Sequence, residues 1–182
     1  MVKYDLERGR AALEGEAQRV DGRIRGRAAV IPNGGSLGEL RERGFGELRD
    51  GDLILSPYEA FYLIEKGRLR ILDPRRGGEL PLEEVVRRLS RGRAEVWLKY
   101  LVFKDLRDRG YIVRDFKGMN LEVYGKGPQR RIARIIYEGG EASLDELRRA
   151  LNASARAGRE LILAVVDRRT DIVYYSLGEL EL

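Results

Sequence analysis

The stretch ELILAVVDRRTDIVYYSLGELEL, Glu160–Leu182, decides how the rest of the chain is read. Leu161–Val166 is a continuous apolar run, and Ile172–Tyr175 is a second one of β-branched and aromatic residues. Between them, Asp167-Arg168-Arg169-Thr170-Asp171 is a charged turn with an acid at each end. The pattern predicts a β-hairpin whose strands carry apolar side chains on both faces. Such strands need cover on both faces, either from a sheet centre or from a partner. The hairpin is read as a surface that joins partners rather than one that does chemistry.

Working back from the hairpin, Ser143-Leu144-Asp145-Glu146 has the spacing of a capping box and predicts a helix to about Ala157. Tyr111–Val113, Leu121–Tyr124 and Ile132–Tyr137 read as three strands, with Gly125–Arg131 connecting the last two. Ala94–Arg109 is the longest predicted helix. Its apolar side is Val96, Trp97, Tyr100, Leu101, Phe103 and Leu106, its charges Lys104, Asp105, Arg107 and Asp108 mostly face solvent, and Gly110 ends it. Helix, three strands, helix and two strands make a compact α/β unit with a mixed central sheet.

The N-terminal half has its own punctuation. Met1–Gln18 is charged and weakly patterned, an arm or a short helix. Arg23–Ile31 reads as one strand stopped by Pro32-Asn33-Gly34-Gly35. Ser36 and Glu39 predict a short helix to about Arg43, and Leu53–Leu55 a short strand. Ser56-Pro57-Tyr58-Glu59 then supplies an N-cap, a proline at N1 and a glutamate at N3, opening a helix that Gly67 closes. Leu69–Leu72 is a strand, Asp73–Gly78 a turn and Leu82–Leu89 a helix with Leu82, Val85, Val86 and Leu89 on one face. Ser90-Arg91-Gly92-Arg93 is small, polar and basic between two helices, which places a domain boundary at Arg91. The expected fold class is mixed α/β, in the α+β sense: a small N-terminal α/β domain, 1–91, followed by a C-terminal α/β domain, 92–182.

Composition narrows the chemistry. The chain has no cysteine, which removes disulfides, thiolate catalysis and cysteine metal sites. It also has no histidine, the usual proton shuttle near neutral pH and the commonest metal ligand. No metal and no cofactor are expected. Abundant Arg and Glu beside two Met and few Asn or Gln resemble the composition of hyperthermophile proteins. No apolar run approaches the roughly 20 residues that span a bilayer, and MVKYDLERGR lacks a signal-peptide core, so no membrane is expected and the location is read as cytoplasmic. The formal charge of +5 favours a polyanionic partner, nucleic acid above all. The plainer reading is a surface of Arg–Glu networks with an incidental excess.

Three stretches together resemble the archaeal tRNA-splicing endonuclease family: LSPYEAFYLIEKGRLRI (Leu55–Ile71), KYLVFKDLRDRGYIVRD (Lys99–Asp115) and LILAVVDRRTDIVYYS (Leu161–Ser176), in that order. The resemblance makes the C-terminal domain nuclease-like. It implies cleavage of pre-tRNA at a bulge-helix-bulge, with the 2′-hydroxyl attacking the neighbouring phosphate to leave a 2′,3′-cyclic phosphate. That chemistry needs help in deprotonating the nucleophile, an acid for the leaving oxygen and a cation for the extra phosphoryl charge. Catalytic members use a tyrosine, a histidine and a lysine. Tyr124 matches the tyrosine; the histidine position falls in Pro128–Arg131, where no proton shuttle stands; Arg159 takes the place of the lysine without being its equivalent.

What the resemblance implies, then, is a non-catalytic structural subunit that pairs with a catalytic paralogue in an (αβ)2 heterotetramer acting on pre-tRNA. Tyr124 and Arg159 are vestigial positions on this reading, and Tyr124 is otherwise a half-buried packing residue. Asp167 and Asp171 become the docking turn, or simply turn caps. Ile172, Val173, Tyr174 and Tyr175 become the dimer-interface strand, with alternation sending one tyrosine to the interface and one to the core. Arg130, Arg131 and Arg134 are candidates for RNA backbone contact, or else a solvated strand face. Two other readings stay open: an active homo-oligomeric endonuclease and a plain RNA-binding dimer.

Overall fold

The computed structural model describes residues 19–34, 37–75, 77–125, 127, 129–140 and 143–177. The Met1–Gln18 arm and the Ser36 cap fall outside them. Ten strands and five helices form two five-stranded sheets in that part of the chain. The first sheet has the order β3-β4-β2-β1-β5, from β1 (Val20–Arg25), β2 (Ala28–Ile31), β3 (Glu47–Arg49), β4 (Asp52–Leu55) and β5 (Leu69–Ile71). It is antiparallel except where β1 runs alongside β5. Its helices are α1 (Leu37–Glu42), α2 (Pro57–Glu65) and α3 (Leu82–Ser90).

RIRGRAAVI is two strands, not one. Gly26 takes φ +65°, a left-handed conformation that glycine adopts at little cost, and the chain turns there so that Arg25 pairs with Ala28. β3 carries no strand signal of its own, being three residues long and exposed throughout. The helix start at Ser56 is as its spacing predicts: the Glu59 carboxylate accepts from the Ser56 backbone N–H and hydroxyl, both at 2.8 Å. Its other oxygen accepts from Gly46 N at 2.9 Å, so one buried acid ties α2 to the loop before β3.

The second sheet has the order β10-β9-β8-β7-β6, from β6 (Ile112–Phe116), β7 (Asn120–Tyr124), β8 (Arg130–Tyr137), β9 (Arg159–Val166) and β10 (Ile172–Leu177). β8 and β9 are parallel, joined by the crossover helix α5 (Leu144–Arg156), and every other pair is antiparallel. α4 (Ala94–Asp108) lies on one face of this sheet. Val96, Tyr100, Phe103 and Leu106 form its buried stripe, and it also packs on α2, so one cluster of buried side chains runs through both halves. Two residues of α4 depart from expectation. Trp97 is 46% exposed, lying beside the stripe rather than on it. Arg107 continues the stripe four residues after Phe103, and its guanidinium lies 3.9 Å from the centre of the Phe45 ring; burial pulls its pKa down to about 10. Among the described residues no helix is long and apolar enough to cross a membrane.

Candidate functional site

The second sheet is where the sequence-predicted residues meet. Along β7, Leu121 and Val123 are buried against the core, so Asn120, Glu122 and Tyr124 point to the opposite face. Register carries that face across the sheet: Glu122 pairs with Ile132, Ile132 with Leu161, and Arg130 with Arg159. Tyr124, Glu122, Arg130 and Arg159 therefore share one face, the one that α5 covers.

On that face Arg159 Nη1 lies 2.6 Å from Glu122 Oε1, and the Tyr124 hydroxyl donates to Glu122 Oε2. The carboxylate thus stands between the phenol and the guanidinium. The two charged side chains are only 14% and 22% exposed, so the pair is shielded from water and its attraction exceeds that of an open surface pair. The Arg130 guanidinium sits 5.8 Å from the Tyr124 ring centre, and that of Arg159 sits 5.6 Å from the Phe116 ring centre. Burial raises the pKa of the Tyr124 hydroxyl above the ordinary phenol value; its bond to Glu122 raises it further, against the nearby Arg159 and Arg114. The result is a protonated phenol, a carboxylate and two guanidiniums, with no group of the kind that ordinarily shuttles protons near neutral pH.

Arg131 does not join this cluster. One residue along a strand it points to the other face, where its Nε meets Glu160 Oε2 at 2.7 Å and Ser176 donates to Glu160 Oε1 at 2.7 Å. Arg134 is on the Tyr124 face, with Nη2 3.2 Å from Glu146 on α5. Of the three arginines considered for RNA contact, Arg130 alone is classed as exposed.

The hairpin of β9 and β10 lies at one edge of the sheet. Tyr174 turns inward, where its hydroxyl donates to Asp105 Oδ2 at 2.7 Å and the Arg109 guanidinium lies 5.5 Å from its ring centre. Ile172 packs on the core from the same face. Val173 and Tyr175 turn outward and are 50% and 54% exposed. They pair with Val165 and Leu163 of β9, both half-buried, so four apolar side chains line the outer face of the edge. In the turn, Asp167 Oδ1 accepts from the backbone N–H groups of Arg169 and Asp171, each at 2.8 Å. The Asp171 side chain is exposed.

Both halves of the chain match known families. Residues 20–86 match the tRNA intron endonuclease N-terminal domain, and residues 96–174 match the tRNA intron endonuclease catalytic C-terminal domain. A tRNA-splicing endonuclease of Pyrococcus abyssi is 35% identical over 139 residues, which are 74% of this chain and 81% of that protein. The tRNA-splicing endonuclease of Pyrococcus furiosus is 37% identical over 139 residues, again 74% and 81% of the two chains. That of Thermococcus kodakarensis is 34% identical over 146 residues, 77% and 85%. The chain belongs to the tRNA intron endonuclease family.

As a tRNA intron endonuclease chain, it brings Tyr124 and Arg159 to one carboxylate that sequence reasoning did not single out. The signal for Glu122 was its spacing: two residues before Tyr124 on a strand puts both on the same face. Phe116 had no such signal, because its approach to Arg159 depends on the pairing of β6, β7, β8 and β9.

Proposed function

We propose that this chain is the non-catalytic assembly subunit of a tRNA-splicing endonuclease, with domains 1–91 and 92–182. It pairs with a catalytic paralogue in an (αβ)2 heterotetramer that removes introns from pre-tRNA at bulge-helix-bulge motifs, in the cytoplasm. The observation that carries the reading is the Tyr124–Glu122–Arg159 cluster in a chain with no histidine. A scissile phosphate needs an unneutralised cation beside it; here the carboxylate of Glu122 occupies Arg159 and holds the phenolic proton of Tyr124. Nothing in the cluster replaces the missing acid, whose loss alone costs on the order of 10²–10⁴-fold in rate.

The hairpin supports the assembly role. Val173 and Tyr175, with Val165 and Leu163 beside them on β9, make an apolar edge that a paired strand of the partner covers. Asp171 is the docking acid, reaching a basic pocket on the opposite dimer; Asp167 supports it from within the turn. Ile172 and Tyr174 stiffen the strand from the core side. Arg130 contributes to RNA contact, and Arg131 and Arg134 serve the sheet through Glu160 and Glu146.

A second reading, an active endonuclease chain, has one observation in its favour: Tyr124 and Arg159 converge on a single carboxylate, which in that case moves the protons. Native purification separates the readings. The proposal expects a stoichiometric, histidine-containing companion in an assembly of tetramer mass. A homo-oligomer of this chain with no companion contradicts it.

A further inference from the structure

A separate group of arginines lies on the first sheet, away from Tyr124 and the hairpin. Arg23, Arg25 and Arg27 flank the β1–β2 turn at Gly26, and Arg87, Arg88 and Arg91 come from the end of α3. The two elements are tied together: Arg91 Nη2 donates to the Gly26 carbonyl at 3.2 Å. Between them is a cavity of about 510 Å³ lined by Ile24, Gly26, Arg87, Arg88, Arg91 and Gly92. That lining has three cations and no acid. A neighbouring cavity of about 930 Å³ shares Arg87 and Arg88 but adds Arg75 and the three acids Asp73, Glu79 and Glu84, so its charges balance.

The local acids leave an excess of positive charge. Asp52 is 3.9 Å from both Arg23 and Arg25, the outer limit of an ion pair, and those arginines remain 53% and 61% exposed. Glu84 is shared between Arg87 and Arg88, each at 2.6 Å, and the two guanidiniums hold its pKa down to about 2. Among the described residues, no carboxylate lies within ion-pair distance of Arg27 or Arg91.

Arg91 occupies a position that resists it. It caps α3 in the left-handed conformation, φ 47°, ψ 42°, where glycine or asparagine is usual and a residue with a Cβ is strained. A cation kept where it strains the backbone points to a use for the cation.

We propose that the β1–β2 turn and the end of α3 form a second RNA-backbone site, with Arg27 and Arg91, the two cations without a carboxylate partner among the described residues, as its principal phosphate contacts, and Arg25 flanking the turn from the far face of β1. Arginine forks suit phosphate oxygens, and an acid-free hollow lined partly by glycine lets a sugar–phosphate strand come close. The site takes RNA through its backbone, without reading bases, and so holds a helical arm of the substrate rather than the splice junction. The choice of RNA over another polyanion rests on the function proposed above.

The test uses the full chain and a blunt RNA duplex without bulges, with binding measured across a salt series. The triple variant Arg25→Ala/Arg27→Ala/Arg91→Gly should bind at least about tenfold more weakly at low salt, and its slope of log K against log salt should shrink by about 2–3. A control losing the same charge elsewhere, Arg41→Ala/Arg43→Ala/Arg49→Ala, should retain most of both. Arg91→Gly alone should match or exceed the wild-type melting temperature while losing RNA affinity, a split that a merely structural Arg91 does not produce. If the wild type binds the duplex and the triple variant binds equally, or if both triples lose equally, the site is refuted and the assembly reading stands. If the wild type binds neither the duplex nor a bulge-helix-bulge RNA, the RNA reading falls and the site with it. Retention of an acidic protein on the patch with an unchanged RNA slope also refutes it.

Discussion

Arg159 and Glu122 stand two strands apart in the second sheet and meet at 2.6 Å across β8, where the Tyr124 hydroxyl shares the same carboxylate. The contact satisfies a cation and a phenol that would otherwise face each other across the sheet with little solvent. It also neutralises Arg159 and leaves Arg130 as the exposed cation of the cluster.

The Arg159–Glu122 pair should therefore show coupling. Arg159→Ala strands a poorly solvated carboxylate and should cost on the order of 2–3 kcal/mol in chemical unfolding. Adding Glu122→Gln should recover part of it, with an interaction energy of about 1 kcal/mol or more in the double-mutant cycle. Additive losses mean that the pair does not hold the site together.

The two tyrosines of β10 should separate folding from assembly. Tyr174→Phe removes the bond to Asp105 from a half-buried site and should lower stability by about 1–2 kcal/mol, leaving oligomer mass unchanged. Val173→Asp/Tyr175→Asp should leave the monomer folded by circular dichroism and shift light scattering to smaller species. If the second variant retains the full assembly, the outer face of β10 is not the interface.

In the turn, Asp167 and Asp171 should behave differently despite their symmetry in the sequence. Asp167→Ala removes the acceptor of two backbone N–H groups and should cost about 1 kcal/mol of stability. Asp171→Arg should leave stability within about 0.5 kcal/mol, as for an ordinary surface site, and weaken tetramer formation on sizing. Intact tetramers in Asp171→Arg remove the docking role.

Alkaline pH should unfold the protein sooner than its salt bridges suggest. Burial raises the hydroxyl pKa of Tyr58, Tyr62, Tyr100 and Tyr174, so the folded state keeps protons that the unfolded chain releases. Their stabilisation is complete below the unfolded tyrosine value of about 10 and is lost as pH climbs from there toward the folded values. Melting temperature should fall from about pH 10 upward, and less steeply in Tyr174→Phe. Parallel curves for the two proteins contradict this.

Much of the fold was legible because it is local. Ser56-Pro57-Tyr58-Glu59 announces α2, and the bonds of Glu59 are those its spacing implies. The alternation in Ile172–Tyr175 foretold one inward and one outward tyrosine. Elsewhere local signals compete. Gly26 sits inside a stretch, Arg23–Ile31, that reads as one strand, yet a glycine between two arginines is enough to reverse the chain. Trp97 reads as core by its identity and Arg107 as solvent-facing by its charge, whereas the spacing Val96, Tyr100, Phe103, Arg107 decides both. The cluster around Glu122 was not legible, because it depends on the register of four strands drawn from distant parts of the chain. The arginines of β1, β2 and α3 are likewise joined only by the fold.

The most direct test of the central claim is cleavage. The purified chain is incubated with a bulge-helix-bulge pre-tRNA, alone and with its histidine-containing paralogue, and the products are resolved by gel. This chain alone should give no cleavage above background, and the mixture should give accurate excision. Robust release of 2′,3′-cyclic phosphate ends by this chain alone would contradict it.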